Sequence, residues 1–287
     1  MFGDGNRGGG VGGGVGHCAL LMIQRHITGV WRNFDSQQGI FDSRLLARHC
    51  AAASIPDAKF LEKTVALENI RWVFFDLGCT LIDESAALSD AHDQLVNALS
   101  ERHIHVTTAD IENALTPAWQ SFQPSPIMHV LTEMTGDRDD ARSVLKQVKY
   151  QKSLETPYTE TKALLDALSD RYKLGVIANQ SPGTEARLKS YSLYNYFTIF
   201  LASAEEGAAK PEPILFHRAL EQSNCAPEHA VMVGDRIDND VRPAKALGWR
   251  TIRILQGHGR LQSPRDDGDI ADHTVITLDE ITPLFAL

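Results

Sequence analysis

This sequence predicts an α/β fold, a doubly wound parallel sheet with an all-helical domain inserted after the first strand. Three observations carry the expectation. The apolar run Trp72-Val73-Phe74-Phe75 ends abruptly in Asp76, as a buried parallel strand does when it delivers an acid to the carboxyl edge of a sheet. From residue 161 onward, helical and strand-like segments alternate, the rhythm of strands joined by crossover helices. Between these, residues 85–155 show helical periodicity and no good strand.

The elements follow in order. After the strand at 72–75, helical spacing runs through 86–102, 109–122, 126–134 and 141–150. Gln123-Pro124-Ser125-Pro126 and Gly136-Asp137 punctuate that run. A helix at 161–172 precedes the apolar strand 174–178, and a helix at 184–193 leads to a strand at 197–201. The helix at 213–223 starts on Pro213, whose missing N–H is harmless in a first turn. A strand at 230–233, a helix at 239–247 and a strand at 251–255 complete the alternation. The expected organisation is a core of 67–84 and 156–287 around a helical domain at 85–155. Residues 1–66 read as a poorly structured extension, because the glycine-dominated stretch 1–16 cannot offset the entropy of ordering.

Composition narrows the function. A 43% hydrophobic chain of 287 residues can bury a sizeable core. A net charge of −9 argues against a surface that coats nucleic acid. No apolar run approaches the roughly 18–20 residues that a membrane helix needs. Cys18, Cys50, Cys79 and Cys225 form no CxxC pair, so there is no zinc signature, and their scatter fits a reducing compartment. A cytoplasmic location is expected. Organellar targeting by the extension is the alternative, since acidic residues are sparse before Asp35.

Four strand ends carry polar residues. The first gives Asp76 and Thr80, and the second gives Asn179 after Leu174-Gly175-Val176-Ile177-Ala178. Lys210 follows the third, and the fourth gives Gly234-Asp235-Arg236-Ile237-Asp238-Asn239-Asp240. Carboxylates converging on one sheet edge repel unless a cation joins them. Asp76, Asp235 and Asp240 make a hard oxygen site suited to Mg²⁺. Lys210 supplies a charge that can hold both a carboxylate and a phosphate, and Asn179 can bind phosphate oxygens. A carboxylate facing a metal-bound phosphate can attack phosphorus.

In order and spacing these segments resemble the haloacid-dehalogenase-like (HAD) hydrolase superfamily. Its motifs are a strand followed by D-x-D-x-T, a strand ending in Ser or Thr, a Lys commonly before Pro, and G-D-x-x-x-x-D. The resemblance spans about residue 70 to the C-terminus and implies a helical C1-type cap. It makes Asp76 the nucleophile and Lys210 the charge-neutralising lysine. Thr80 and Asn179 become phosphoryl-positioning residues. Asp76, Asp235, Asp240 and the Gly78 carbonyl become Mg²⁺ ligands, with a small phosphorylated molecule as substrate.

Two departures bear on activity. Gly78 stands where the family has its general acid/base, and Ala178 where it has a hydroxyl. General acid catalysis contributes ~10²–10⁴-fold, or about 3–5 kcal/mol of barrier. Three readings stay open: a phosphatase, a phosphonatase or dehalogenase of the same fold, and a weakly active or inactive protein binding a phosphorylated ligand or a protein partner. The phosphonatase reading needs a cap lysine, for which Lys146, Lys149 and Lys152 are available. Asp83 and Glu84 read as turn or helix-N-terminal acids, with a substitute-acid role as the alternative. Asp238 reads as a solvated loop acid and Cys79 as a small packed thiol. Trp119 and Met134 read as core of the helical domain, and His258 as a loop residue outside the site.

Overall fold

The structure, a computed structural model, describes residues 67–285. The expected extension at 1–66, with its targeting alternative, lies outside the described residues.

Strand β1 (Trp72–Phe75) is buried along its whole length and occupies the middle of a six-stranded sheet. The other strands are β4 (Lys173–Ala178), β5 (Phe197–Ala202), β6 (Ala230–Gly234), β7 (Arg250–Ile254) and β8 (His273–Val275), in the order β5-β4-β1-β6-β7-β8. Every pairing is parallel. The period of two along β1 divides its side chains between two cores. Val73 and Phe75 pack with Leu164, Leu165 and Leu168 of α5 (Thr161–Ser169) and with the C-terminal Leu278, Ile281 and Phe285. Trp72 and Phe74 pack with Leu215, Phe216 and Ala219 of α8 (Ile214–Ser223) and with Trp249. Helices therefore cover both faces, which is why the strands read as unbroken apolar runs. Each fully buried large side chain here contributes about 2–3 kcal/mol.

The insertion is helical, as expected. It holds α1 (Ser85–Ser100), α2 (Thr108–Gln120), α3 (Pro126–Thr135) and α4 (Arg138–Leu145). They enclose their own core of Leu95, Leu99, Ile111, Leu115, Leu131 and Val144. Thr107 and Asp110 form a reciprocal capping box at the start of α2. α4 starts and ends earlier than the periodicity suggests. The reason is Asp137, whose carboxylate accepts from the Asp139 and Asp140 N–H groups and fixes the first turn there.

Three small strands escape the sequence reading. β8 has three residues and no apolar run. β2 (Ile82–Asp83) and β3 (Thr156–Pro157) pair antiparallel where the chain leaves and re-enters the sheet layer. The Thr161 hydroxyl adds a 2.7 Å bond to the Leu81 carbonyl beside this ribbon.

β1 is flanked by β4 on one side and β6 on the other, so the chain winds away from it in both directions. That is the switch point of an open α/β sheet, where a crevice forms outside the carboxyl ends. Asp76, Asn179 and Asp235 directly follow β1, β4 and β6.

Candidate active site

Asp76 is held at the crevice floor by its own N–H, which donates to the Val233 carbonyl at 2.9 Å. The chain then turns sharply. The Leu77 carbonyl accepts from the N–H groups of Leu81 and Ile82, and the Cys79 N–H returns to the Ile82 carbonyl. Cys79 adopts φ 56° in this turn, a left-handed conformation that strains a residue with a side chain. Its thiol is kept protonated, pushed well up by burial and then by Asp235 and Glu84. That agrees with the packed-thiol reading.

Lys210 is the hub of the site. Its side chain is 1% exposed, and Nζ donates to Asp76 Oδ1 at 2.6 Å and Asp240 Oδ1 at 2.5 Å. Burial opposes its charge, but Asp240 and Asp76 outweigh burial and raise its pKa above the ordinary lysine value. Asn179 fixes the lysine from behind. Its Oδ1 accepts from the Lys210 N–H and its Nδ2 donates to the Lys210 carbonyl, both at 2.8 Å. The amide that the sequence suggests for phosphate thus spends these two bonds on the lysine's backbone.

Asp240 lies on the wide turn Ile237–Val241, where its Oδ2 accepts from the Arg236 N–H at 3.0 Å. A methyl group on Gly234 would fall 2.4 Å from the Asp240 Cγ, so the glycine makes room for this carboxylate. One oxygen from each of Asp76, Asp235 and Asp240 lies within 4.8 Å of the others. Burial, then Asp240 and Asp76, push Asp235 well up. Burial also pushes Asp240 up, to about 6; Lys210 opposes this and Asp76 adds to it. Ionised together, the three buried carboxylates would outweigh the single lysine ammonium, and the raised Asp235 and Asp240 values express that repulsion. Two nearby arginines offset only part of this excess. Arg236 pairs with Asp238, and Arg253 donates to the Gly259 and Gln262 carbonyls and, at 3.4 Å, to the Asp235 carbonyl.

A cavity of about 180 Å³ opens onto this cluster. Asp76, Gly78, Asn179, Lys210, Asp235 and Asp240 all line it. Thr80 does not. It is fully buried, and its hydroxyl finds no partner among the described residues. Asp238 is engaged rather than solvated, pairing with Arg236 and accepting from Gln262 Nε2 at 2.8 Å. Lys146 and Lys149 are exposed, while Lys152 Nζ reaches Gln180 Oε1 at 3.5 Å.

Five lining residues, Glu84, Trp119, Arg236, His258 and Gly259, were read otherwise from sequence or not singled out; His258 in particular faces the cavity rather than lying outside the site. Trp119 packs partly on the helical core but also faces the cavity, stacked on His258 with centroids 5.3 Å apart. The Arg236 guanidinium lies 4.9 Å from the same indole. Gly259 backs Asp235, since a methyl group there would fall 2.3 Å from the Asp235 Oδ2. Glu84 also lines the cavity. Asp83 does the turn work expected at this point, accepting from the Ser85 N–H at 2.9 Å, while Glu84 makes no capping bond. Burial, then Glu155 and Asp76, push the Glu84 carboxyl up to about 7.

The fold and this edge-of-sheet acidic cluster define a hydrolase class, and the comparisons agree. The chain belongs to the haloacid dehalogenase-like hydrolases, whose family pattern matches residues 73–254. It is 26% identical over 223 residues to a glyceraldehyde 3-phosphate phosphatase of Methanocaldococcus jannaschii, covering 75% of this chain and 96% of that one. It is 27% identical over 226 residues to a pyrimidine 5'-nucleotidase of Escherichia coli, covering 74% and 96%. Among solved structures it is similar to the HAD hydrolase YfnB of Bacillus subtilis, crystallised with magnesium. That likeness has a TM-score of 0.56 and 17% identity and covers 76% of this chain and 99% of the other. No helix among the described residues is long and apolar enough to cross a membrane.

Proposed function

We propose that this hydrolase is a Mg²⁺-dependent phosphatase of small phosphorylated molecules, working through a phosphoryl group carried on Asp76. The observation that carries the reading is the buried cluster of three carboxylates around one ammonium. Its excess negative charge when ionised calls for a divalent cation, and an all-oxygen donor set suits Mg²⁺. Asp76, Asp235, Asp240 and the Gly78 carbonyl would hold it. When bound, the ion neutralises phosphate charge and polarises the phosphoryl oxygens.

The chain's own groups do the rest. An Asp76 carboxylate oxygen attacks phosphorus, the P–O ester bond breaks, and the phosphoryl group moves to Asp76. Water then attacks that phosphorus and releases inorganic phosphate. Lys210 holds Asp76 in place and balances the charge of the incoming phosphate. Asn179 keeps Lys210 at that position through its backbone. The helices of 85–155 act as a cap that walls the cavity and contributes Trp119 to substrate selection. The phosphatase relatives act on small phosphorylated compounds, which supports the substrate class. A dehalogenase has no need of Asp235 and Asp240.

The test is turnover of a phosphate-ester panel with Mg²⁺. Wild type should release phosphate, chelation should stop it, and Asp76→Asn should abolish it. Equal activity in wild type and Asp76→Asn would sink the reading.

A further inference from the structure

Gly78 stands at the position where the resemblance calls for a proton-transferring acid, and the space beside it is filled. A methyl group on Gly78 would fall 2.4 Å from Glu84 Oε1, 2.7 Å from its Cδ and 2.9 Å from Oε2. These separations are well inside van der Waals contact. The Glu84 carboxyl therefore occupies the volume into which any side chain at 78 would grow. Glycine at 78 removes one carboxyl and admits another from six positions along the chain.

The local fold holds Glu84 there. It directly follows β2, whose pairing with β3 fixes the backbone at Ile82 and Asp83. Its carbonyl accepts from the Leu88 N–H at 2.9 Å, anchoring it to the first turn of α1. The side chain turns inward, lining the cavity with Asp76, Lys210 and Asp235. No lysine or arginine forms an ion pair with it among the described residues. Its hydrogen-bond donor is the Cys79 thiol, 3.7 Å from Oε2, a weak bond that leaves the carboxyl available.

We propose that the Glu84 carboxyl is this enzyme's proton donor and acceptor, standing in the space that a side chain at position 78 would fill. The proposal rests on the phosphatase reading above. In the first step Asp76 attacks phosphorus, the bond to the ester oxygen breaks, and that oxygen takes the Glu84 proton and leaves as an alcohol. In the second, Glu84 as carboxylate takes a proton from water. The water oxygen bonds to phosphorus, and the P–O bond to Asp76 breaks. Asp76 is regenerated and Glu84 is again protonated.

The experiment compares full-length wild type, Glu84→Gln, Asp76→Asn and the double variant Gly78→Asp/Glu84→Ala on two substrates with Mg²⁺. p-Nitrophenyl phosphate has a leaving group that needs little protonation, whereas glycerol phosphate has a poor one. Thermal melts establish that each variant is folded. Glu84→Gln should lose ~10²–10⁴-fold in kcat/KM on glycerol phosphate and far less on the aryl ester. The double variant should recover much of the alkyl activity, because its new aspartate occupies the vacated volume. Equal losses on both substrates, or none on either, overturn the role of Glu84 and leave the phosphatase reading standing. If folded wild type turns over neither substrate nor any other member of the phosphate-ester panel, the phosphatase reading fails and this proposal falls with it.

Discussion

Replacing Lys210 with methionine removes the ammonium while nearly preserving the volume of the side chain. In the native site that ammonium lies 2.6 Å from Asp76 Oδ1 and 2.5 Å from Asp240 Oδ1, and lysine and Asp240 side chains are each 1% exposed. Removing one partner from a buried charge cluster costs about 3–5 kcal/mol, because the remaining charges stay desolvated. At about 2–4 °C per kcal/mol for a protein of this size, the melting midpoint should fall by roughly 6–20 °C in EDTA. Mg²⁺ at about 100 times its Kd returns about 2.7 kcal/mol, and the variant has one more uncompensated charge for it to neutralise. The methionine variant should therefore gain more from Mg²⁺ than wild type does. Differential scanning fluorimetry and urea unfolding, each with EDTA and with Mg²⁺, measure both quantities. A variant melting within ~2 °C of wild type in EDTA would refute the charge accounting. Absence of Mg²⁺ stabilisation in both proteins would refute the metal site.

Three further outcomes are expected. Gly234→Ala places a methyl group 2.4 Å from the Asp240 Cγ, so it should cost about 1–3 kcal/mol by overpacking; activity loss without movement of Asp240 in a crystal structure would contradict this. Trp119→Ala removes the ring that stacks on His258 and meets Arg236, and it should raise KM by roughly tenfold while leaving kcat within a few-fold; steady-state kinetics decide, and a fall confined to kcat would count against Trp119 as a binding wall. Burial raises the Asp269 carboxyl, but hydrogen bonds from Arg265 and Arg242 outweigh it and hold it at about 2. Being depressed, it stabilises the fold fully above about pH 4 and loses that contribution as pH falls towards 2. Asp269→Asn should thus cost about 1–3 kcal/mol at pH 7, and the gap from wild type in urea unfolding should narrow between pH 4 and pH 3.

The sheet was legible because its strands are buried on both faces and read as apolar runs ending in polar residues. Asp76, Lys210, Asp235 and Asp240 were found from those ends, since the switch point forces them together. β8 was missed because His273-Thr274-Val275 is too short to show a pattern. Helical spacing could place Trp119 on an apolar face, but it could not say that part of this face meets His258 across the cavity. Asn179 was identified as a site residue, yet its amide is turned onto Lys210, a choice fixed by the loop geometry. Glu84 was named only as an alternative acid, because sequence does not show how much space a glycine leaves or what fills it.

The β2–β3 ribbon has a mechanical consequence. It carries both passages of the chain between the sheet and the inserted helices, and each strand is two residues long. Asp76, Lys210, Asp235 and Asp240 are all rooted on the sheet side. Glu84 lies one residue beyond β2, at the first turn of α1, and travels with the helices. Any swing about this ribbon shifts Glu84 against Asp76 and leaves Asp76, Lys210, Asp235 and Asp240 in register with one another. The distance between nucleophile and carboxyl would therefore gauge any rotation of the two layers, and stiffening the ribbon would hold that distance at one setting.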